Sequence, residues 1–182
     1  VVAVSLKKKT FPNYDMVETE LGSVRADLRL FEILDQVANA APVSVEDFYL
    51  FGHSKGGQFV SRMVLAHFDR IIAAAAGGPG HYITSDPNTS FPNGTKTPPF
   101  APDLDPLKFA VLVRSRLAIV LGENELERRI EAANNFMGDV QTYAEQNNIP
   151  SRVEFFWVRG GGHFGRSNWP TASAFLFRDL AR

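Results

Sequence analysis

The chain has 182 residues, 45 % hydrophobic and 21 % charged, the balance of one globular domain large enough to bury a sizeable core. Nineteen basic against twenty acidic residues leave a net charge of −1, so the sequence offers no electrostatic footprint for nucleic acid or an anionic membrane surface. The absence of cysteine excludes disulfides, thiolate metal sites and a cysteine nucleophile, and no apolar stretch approaches the roughly 20 residues of a membrane span.

The chain opens on Val1-Val2-Ala3-Val4-Ser5, an apolar β-branched run that reads as a buried strand. A chain seldom begins inside its sheet, so an N-terminal part of the fold is expected upstream. Val24, Leu28, Phe31, Leu34, Val37 and Ala38 follow at three- and four-residue spacings, an amphipathic helix with Gly22-Ser23 as its start signal. Residues 47–51 read as a second strand, and 58–68 as a helix with Phe59, Met63, Val64 and His67 along one side. Residues 70–78 and 116–122 are short unalternating apolar runs, the third and fourth strands. A long helix lies within 127–148, ended by Asn147-Asn148 and Pro150, and 152–158 is the fifth strand. Residues 159–170 read as a loop, with a last helix from Thr171.

Strands alternating with helices point to βαβ units and a mostly parallel sheet. Chemistry in such sheets sits in the loops at the C-terminal ends of the strands, here the loops opening at Gly52, Gly77, Gly122 and Arg159. Residues 78–106 stand apart as one excursion carrying Pro79, Pro87, Pro92, Pro98, Pro99, Pro102 and Pro106, and loops of that length are mostly functional or disordered. Asn88 and Asn93 in it head Asn-x-Ser/Thr patterns, which matter only in a glycosylating secretory pathway. Asp103 and Asp105 lack a nearby His or Glu, so no metal site is expected.

Gly52-His53-Ser54-Lys55-Gly56 has the G-x-S-x-G form of a nucleophile elbow. The five-residue pattern alone is weak. Its place between an apolar strand and an apolar helix is the strand-turn-helix that exposes a serine hydroxyl, and the small residues two before and two after Ser54 are expected to let strand and helix pack closely. A serine attacks only when a neighbouring base takes its proton. Of the four histidines, His53 lies inside the elbow, His67 ends the following helix, and His81 lies past the third strand. His163, in the glycine-rich loop after the last strand, is the candidate base. An acid is expected after the fourth strand, where Glu123 and Glu125 both qualify and spacing favours neither. The Lys55 amide is the expected oxyanion donor, as the residue after the nucleophile. A second donor from an earlier loop is expected upstream of residue 1.

On the segments YLFGHSKGGQFVSRMVLAHFDRIIAAAAGGPGHY, FPNG, LAIVLGENE and VRGGGHFG, the chain resembles the α/β-hydrolases, in particular the esterase group related to polyhydroxyalkanoate depolymerases. The resemblance implies a three-layer α/β sandwich, a mostly parallel sheet with helices on both faces, of which residues 1–182 form a single catalytic domain, the C-terminal two-thirds of the fold. A loop of the form G-x-x-D carries the family's acid. Matched onto Gly122-Glu123-Asn124-Glu125, it places the acid on Glu125, with Glu in place of the usual Asp. The resemblance also suggests that Tyr82 lines the pocket; His53 and Phe164 join it as candidate substrate contacts.

The expected activity is hydrolysis of a small or polymeric carboxylic ester through an acyl-enzyme on Ser54, with His163 as base, Glu125 as its partner, and no cofactor or metal. A serine peptidase of the same fold and an inert scaffold used for binding are the alternatives. The pattern of residues says nothing of oligomeric state or localisation.

Overall fold

The computed structural model describes residues 1–6, 9–17, 25–105 and 107–180. The start signal at Gly22-Ser23, Val24, two lysines of the basic run at 7–9, and Pro106 lie outside the described residues. Among the described residues, five α-helices and four strands alternate in the order α1 (Ala26–Ala40), β1 (Phe48–His53), α2 (Lys55–Ala66), β2 (Ile71–Gly77), α3 (Phe109–Arg114), β3 (Leu117–Gly122), α4 (Glu127–Gln146), β4 (Val153–Val158) and α5 (Gly165–Phe177).

The sheet runs β1-β2-β3-β4 and every pair is parallel. A parallel pair needs a crossover, and α2 and α4 supply two of them. Side chains alternate across the sheet. Ala74, Ala76, Leu117, Ile119, Leu121 and Val153 face one side, with apolar residues of α1 to α4. Ala73, Ala75, Ala118 and Val120 face the other, against Ala172, Phe175 and Leu176 of α5. Burying a residue such as Ile119 or Leu121 completely stabilises the fold by about 1.5–3 kcal/mol. The four fully buried alanines of β2 leave little side chain on either face of that strand, which draws α2 and α5 close to its backbone.

Two sequence expectations are corrected here. Val1 to Ser5 form no strand: they are exposed and make no ladder with a described strand. A strand exists only through a hydrogen-bonded neighbour, so apolar, β-branched composition alone does not make one. The last helix starts at Gly165, six residues earlier than expected, and carries Pro170 inside it. Residues 159–170 read as a loop, but Pro170 stands at the sixth position of the helix, where it removes one helical donor, its own. The sequence reading also passed over α3, whose six residues show no usable periodicity after a proline-rich stretch.

The excursion after β2 is ordered against the core. Ile83, Phe91 and Ala101 are buried in it. Asp139 of α4 accepts bonds from the Ser85 amide at 2.7 Å and hydroxyl at 2.6 Å. The fully buried Arg62 of α2 donates to the Pro92 carbonyl at 3.1 Å and the Asp15 carbonyl at 2.8 Å, tying the excursion and the segment around residue 15 to one helix. Asp103 forms a two-pronged pair with Arg25, which also holds Asp27. No helix among the described residues is long and apolar enough to cross a membrane.

Candidate active site

The register His53↔Gly77, Gly77↔Val120 and Gly122↔Val158 aligns the strand ends, so the loops that follow open on one edge of the sheet. Ser54 sits at the corner between β1 and α2 with φ 57° and ψ −117°. A non-glycine residue at positive φ costs on the order of 1–3 kcal/mol and persists only where its surroundings over-determine it. Here the Ser54 amide donates to the Gly77 carbonyl at 2.7 Å, and the Gln58 amide donates to the Ser54 carbonyl at 3.1 Å.

Glycine makes that corner possible, though not the two glycines of the motif alone. A Cβ on Gly52 would overlap the Gly56 carbonyl, and one on Gly57 would lie 2.9 Å from the Gly77 oxygen. A Cβ on Gly56 would meet nothing within 4 Å. The close approach of strand and helix therefore rests on Gly52 and Gly57, and Gly56 contributes its backbone.

His163 lies in the four-residue stretch between the turn at 159–160 and α5. Its Nε2 is 3.0 Å from the Ser54 hydroxyl oxygen, and its Nδ1 is 2.7 Å from Oε2 of Glu125. An ionised carboxylate only accepts, so Nδ1 carries the proton and Nε2 keeps a lone pair for the Ser54 hydroxyl. The Glu125 side chain is wholly buried. Burying a carboxylate is costly unless it is paired. Its partners are His163 on Oε2, and the Leu126 amide at 3.0 Å on Oε1 with the Arg129 guanidinium 3.5 Å away. Glu123, which spacing could not separate from Glu125, is exposed and turned away: its Oε2 accepts from the Gly160 amide at 2.8 Å.

Lys55 heads α2, so its amide is one of the first-turn donors that no carbonyl of the helix can satisfy. Its side chain leads elsewhere, to Asp15 at 3.0 Å. The three candidate substrate contacts part company. His53 turns toward α5, where its ring centroid lies 4.6 Å from that of His163 and its Nδ1 is 3.4 Å from the Asn168 amide nitrogen. Burial, with His163 beside it, holds His53 below the ordinary imidazole range. Tyr82 stacks on Phe136 of α4 at 4.7 Å, with its hydroxyl buried and unpartnered among the described residues, and burial raises its pKa well above the usual phenol value. Phe164 alone is presented to solvent, at 60 % exposure, with the Arg166 guanidinium over its ring.

Three residues at the site escaped the sequence reading. Gly78, at φ +54°, packs so closely that a Cβ would lie 3.1 Å from Nδ1 of His163 and 3.2 Å from Oε2 of Glu125. The Gly77-Gly78 pair at a strand end was the available signal. Asn168, fully buried in α5, donates to the Val120 carbonyl at 3.3 Å beside His53. Arg129 follows Glu125 by four residues, a spacing that was legible. Among the described residues no group of three or more His, Asp or Glu side chains could hold a metal ion.

No protein-family model matches the sequence, and no curated protein sequence matches it. Solved structures do. The chain is similar to poly(aspartic acid) hydrolase-1 from Sphingomonas sp. KT-1, with a TM-score of 0.74 and 22 % identity over 94 % of this chain and 74 % of that one. It is similar to the poly(3-hydroxybutyrate) depolymerase of Bordetella parapertussis, with a TM-score of 0.74 and 23 % identity over 98 % of this chain and 71 % of that one. A fluorophosphonate-binding serine hydrolase of Staphylococcus aureus matches at a TM-score of 0.58 and 16 % identity, over 93 % of this chain and 68 % of that one. The fold is that of the α/β-hydrolases, as the sequence reading expected.

Proposed function

We propose that the protein is a serine hydrolase that cleaves a carboxylic ester, small or polymeric, by acyl transfer to Ser54. The observation that supports this is the unbroken hydrogen-bonded run from Glu125 through His163 to Ser54, with the serine held at positive φ on a strand-to-helix corner. Similarity of fold to a depolymerase and to serine hydrolases agrees with it.

In the first half-reaction Nε2 of His163 takes the Ser54 proton as Oγ attacks the ester carbonyl carbon. The carbonyl oxygen becomes an oxyanion, toward which the Lys55 amide donates; one such donor is worth about 10²–10³ in rate. The imidazolium then gives its proton to the departing alkoxide, which leaves as an alcohol and deposits an acyl-Ser54. In the second half-reaction Nε2 takes a proton from water, the hydroxide attacks the acyl carbon, and the proton returns to Ser54 as the acid leaves. Glu125 accepts the Nδ1 proton's hydrogen bond throughout, fixing the tautomer and stabilising the cation.

The test is turnover of p-nitrophenyl acetate and labelling by a fluorophosphonate probe. Wild type is expected to do both, and Ser54→Ala neither, with its circular dichroism unchanged. A variant that keeps wild-type turnover would overturn the proposal, as would a wild type that neither turns over ester nor labels, which is the behaviour of an inert scaffold. Faster cleavage of a matched peptide p-nitroanilide than of the ester would reassign the reaction to peptide hydrolysis.

A further inference from the structure

Arg129 occupies the third position of α4, a place where charge works against it. The N-terminus of a helix is the positive end of its macrodipole, and a cation in the first turn is disfavoured. Its neighbour Arg128 is exposed, as a solvated charge would be, yet the Arg129 side chain is only 15 % exposed. The cost of that placement is offset by two contacts. Nη1 donates to the Gly78 carbonyl at 2.7 Å, and Nε, buried and without a hydrogen-bond partner among the described residues, faces Oε1 of Glu125 at 3.5 Å.

These contacts join three loops. Gly78 belongs to the loop after β2, Glu125 to the loop after β3, and Glu125 in turn holds His163 after β4. The Gly78 α-carbon also forms the wall against which the His163–Glu125 pair packs. The guanidinium anchored on the Gly78 carbonyl thus touches both the wall and the carboxylate. Glutamate has one more rotatable bond than aspartate, and holding a longer side chain in one rotamer costs additional entropy. A planar guanidinium can face two acceptors at fixed angles, which the compact ammonium of lysine does not do.

We propose that Arg129 is a positioning residue, which holds the Glu125 carboxylate in line with Nδ1 of His163 by bridging it to the Gly78 carbonyl. The inference rests on the proposed role of Glu125 in ester hydrolysis. With the Leu126 amide bonded to Oε1 and the Arg129 guanidinium facing it at 3.5 Å, Oε2 is left aimed at the imidazole.

The experiment compares wild type, Arg129→Met and Arg129→Lys. A displacement near 1 Å in catalytic geometry costs up to about 100-fold in rate. The kcat of Arg129→Met for p-nitrophenyl acetate is thus expected to fall about 10- to 100-fold with KM within about twofold of wild type. Arg129→Lys, which restores charge without the fork, should recover part of that loss. The second readout is the downfield proton resonance of the His163 Nδ1–H bonded to Glu125, expected in wild type and broadened or shifted in Arg129→Met. Because it is read on the resting protein, it judges the bridge even where wild type turns over no ester. An unchanged resonance, an unchanged kcat, or a raised KM at constant kcat would each overturn the proposal. So would a lowered melting temperature accompanied by normal kcat in the folded protein, since that is what a purely structural arginine gives.

Discussion

Glu125 and His163 meet at 2.7 Å across 38 residues of sequence, while Glu123, two residues from Glu125, bonds the Gly160 amide instead. The two glutamates share a loop, a charge and a side-chain length, and differ in the direction each leaves the backbone. Glu125 enters the protein and loses all contact with water; Glu123 stays outside.

That difference predicts separate effects on catalysis. Removing the charge of the residue that orients a catalytic histidine leaves the geometry while favouring the wrong tautomer, at a cost of about 10⁴ in kcat. Glu125→Gln is therefore expected to lose roughly that factor in ester turnover. Glu123→Gln should stay within a few-fold of wild type, because a glutamine oxygen can still accept from Gly160. Steady-state kinetics on both variants decides it, and comparable losses in the two would show that the loop, rather than the Glu125 charge, is what matters.

The glycines of the elbow should separate by stability. Gly52→Ala places a methyl group against the Gly56 carbonyl, and overpacking of this kind costs about 1–3 kcal/mol or more when backbone must move. Gly56→Ala meets open space in the first turn of α2, and replacing a helical glycine by alanine gains roughly 0.5–1 kcal/mol. Urea unfolding midpoints should thus fall for Gly52→Ala and hold or rise for Gly56→Ala. A shared loss would mean that α2 does not start where the structure has it.

A buried cluster far from the proposed chemistry should govern acid stability. Burial acts to raise the pKa of Asp27, but hydrogen bonds and charge from His67 and Arg25 outweigh it and leave the carboxyl below its usual value. A group whose folded pKa is depressed contributes stability above its unfolded pKa of about 3.9 and loses it as pH falls through the folded value. Removing one member of a buried pair costs about 3–5 kcal/mol. Asp27→Asn should be less stable than wild type at pH 7, and the gap should narrow as pH falls below about 4. Chemical denaturation at pH 7, 5 and 3.5 measures this; a constant gap would assign the loss to packing alone.

Much of the fold was open to reading because its signals are local. Four of the five expected strands form among the described residues, since short runs such as Leu117–Gly122 carry no polar side chain, as a strand covered on both faces requires. Where a signal depended on a partner, reading failed. Val1 to Ser5 have strand-like residues and no ladder, and residues 165–170, expected as loop, belong to a helix that continues through Pro170. At the site, Ser54 and His163 stand out in the strand-loop pattern, and Arg129 stands four residues after Glu125, a spacing open to reading. Gly78, Asn168 and the second contact of Arg129 were not legible, because each acts through atoms distant in sequence: the His163–Glu125 pair, the Val120 carbonyl and the Gly78 carbonyl.

By itself the sequence determined the alternation of strands and helices, the parallel sheet they make, and the serine and histidine on its loops, because hydrophobic period and turn residues act over a few neighbours. Only the tertiary structure decided which glutamate faces the imidazole, which glycines are needed at the elbow, and that an arginine stands behind the carboxylate. Those are questions of direction and distance between loops that meet only once the strands have been brought into register.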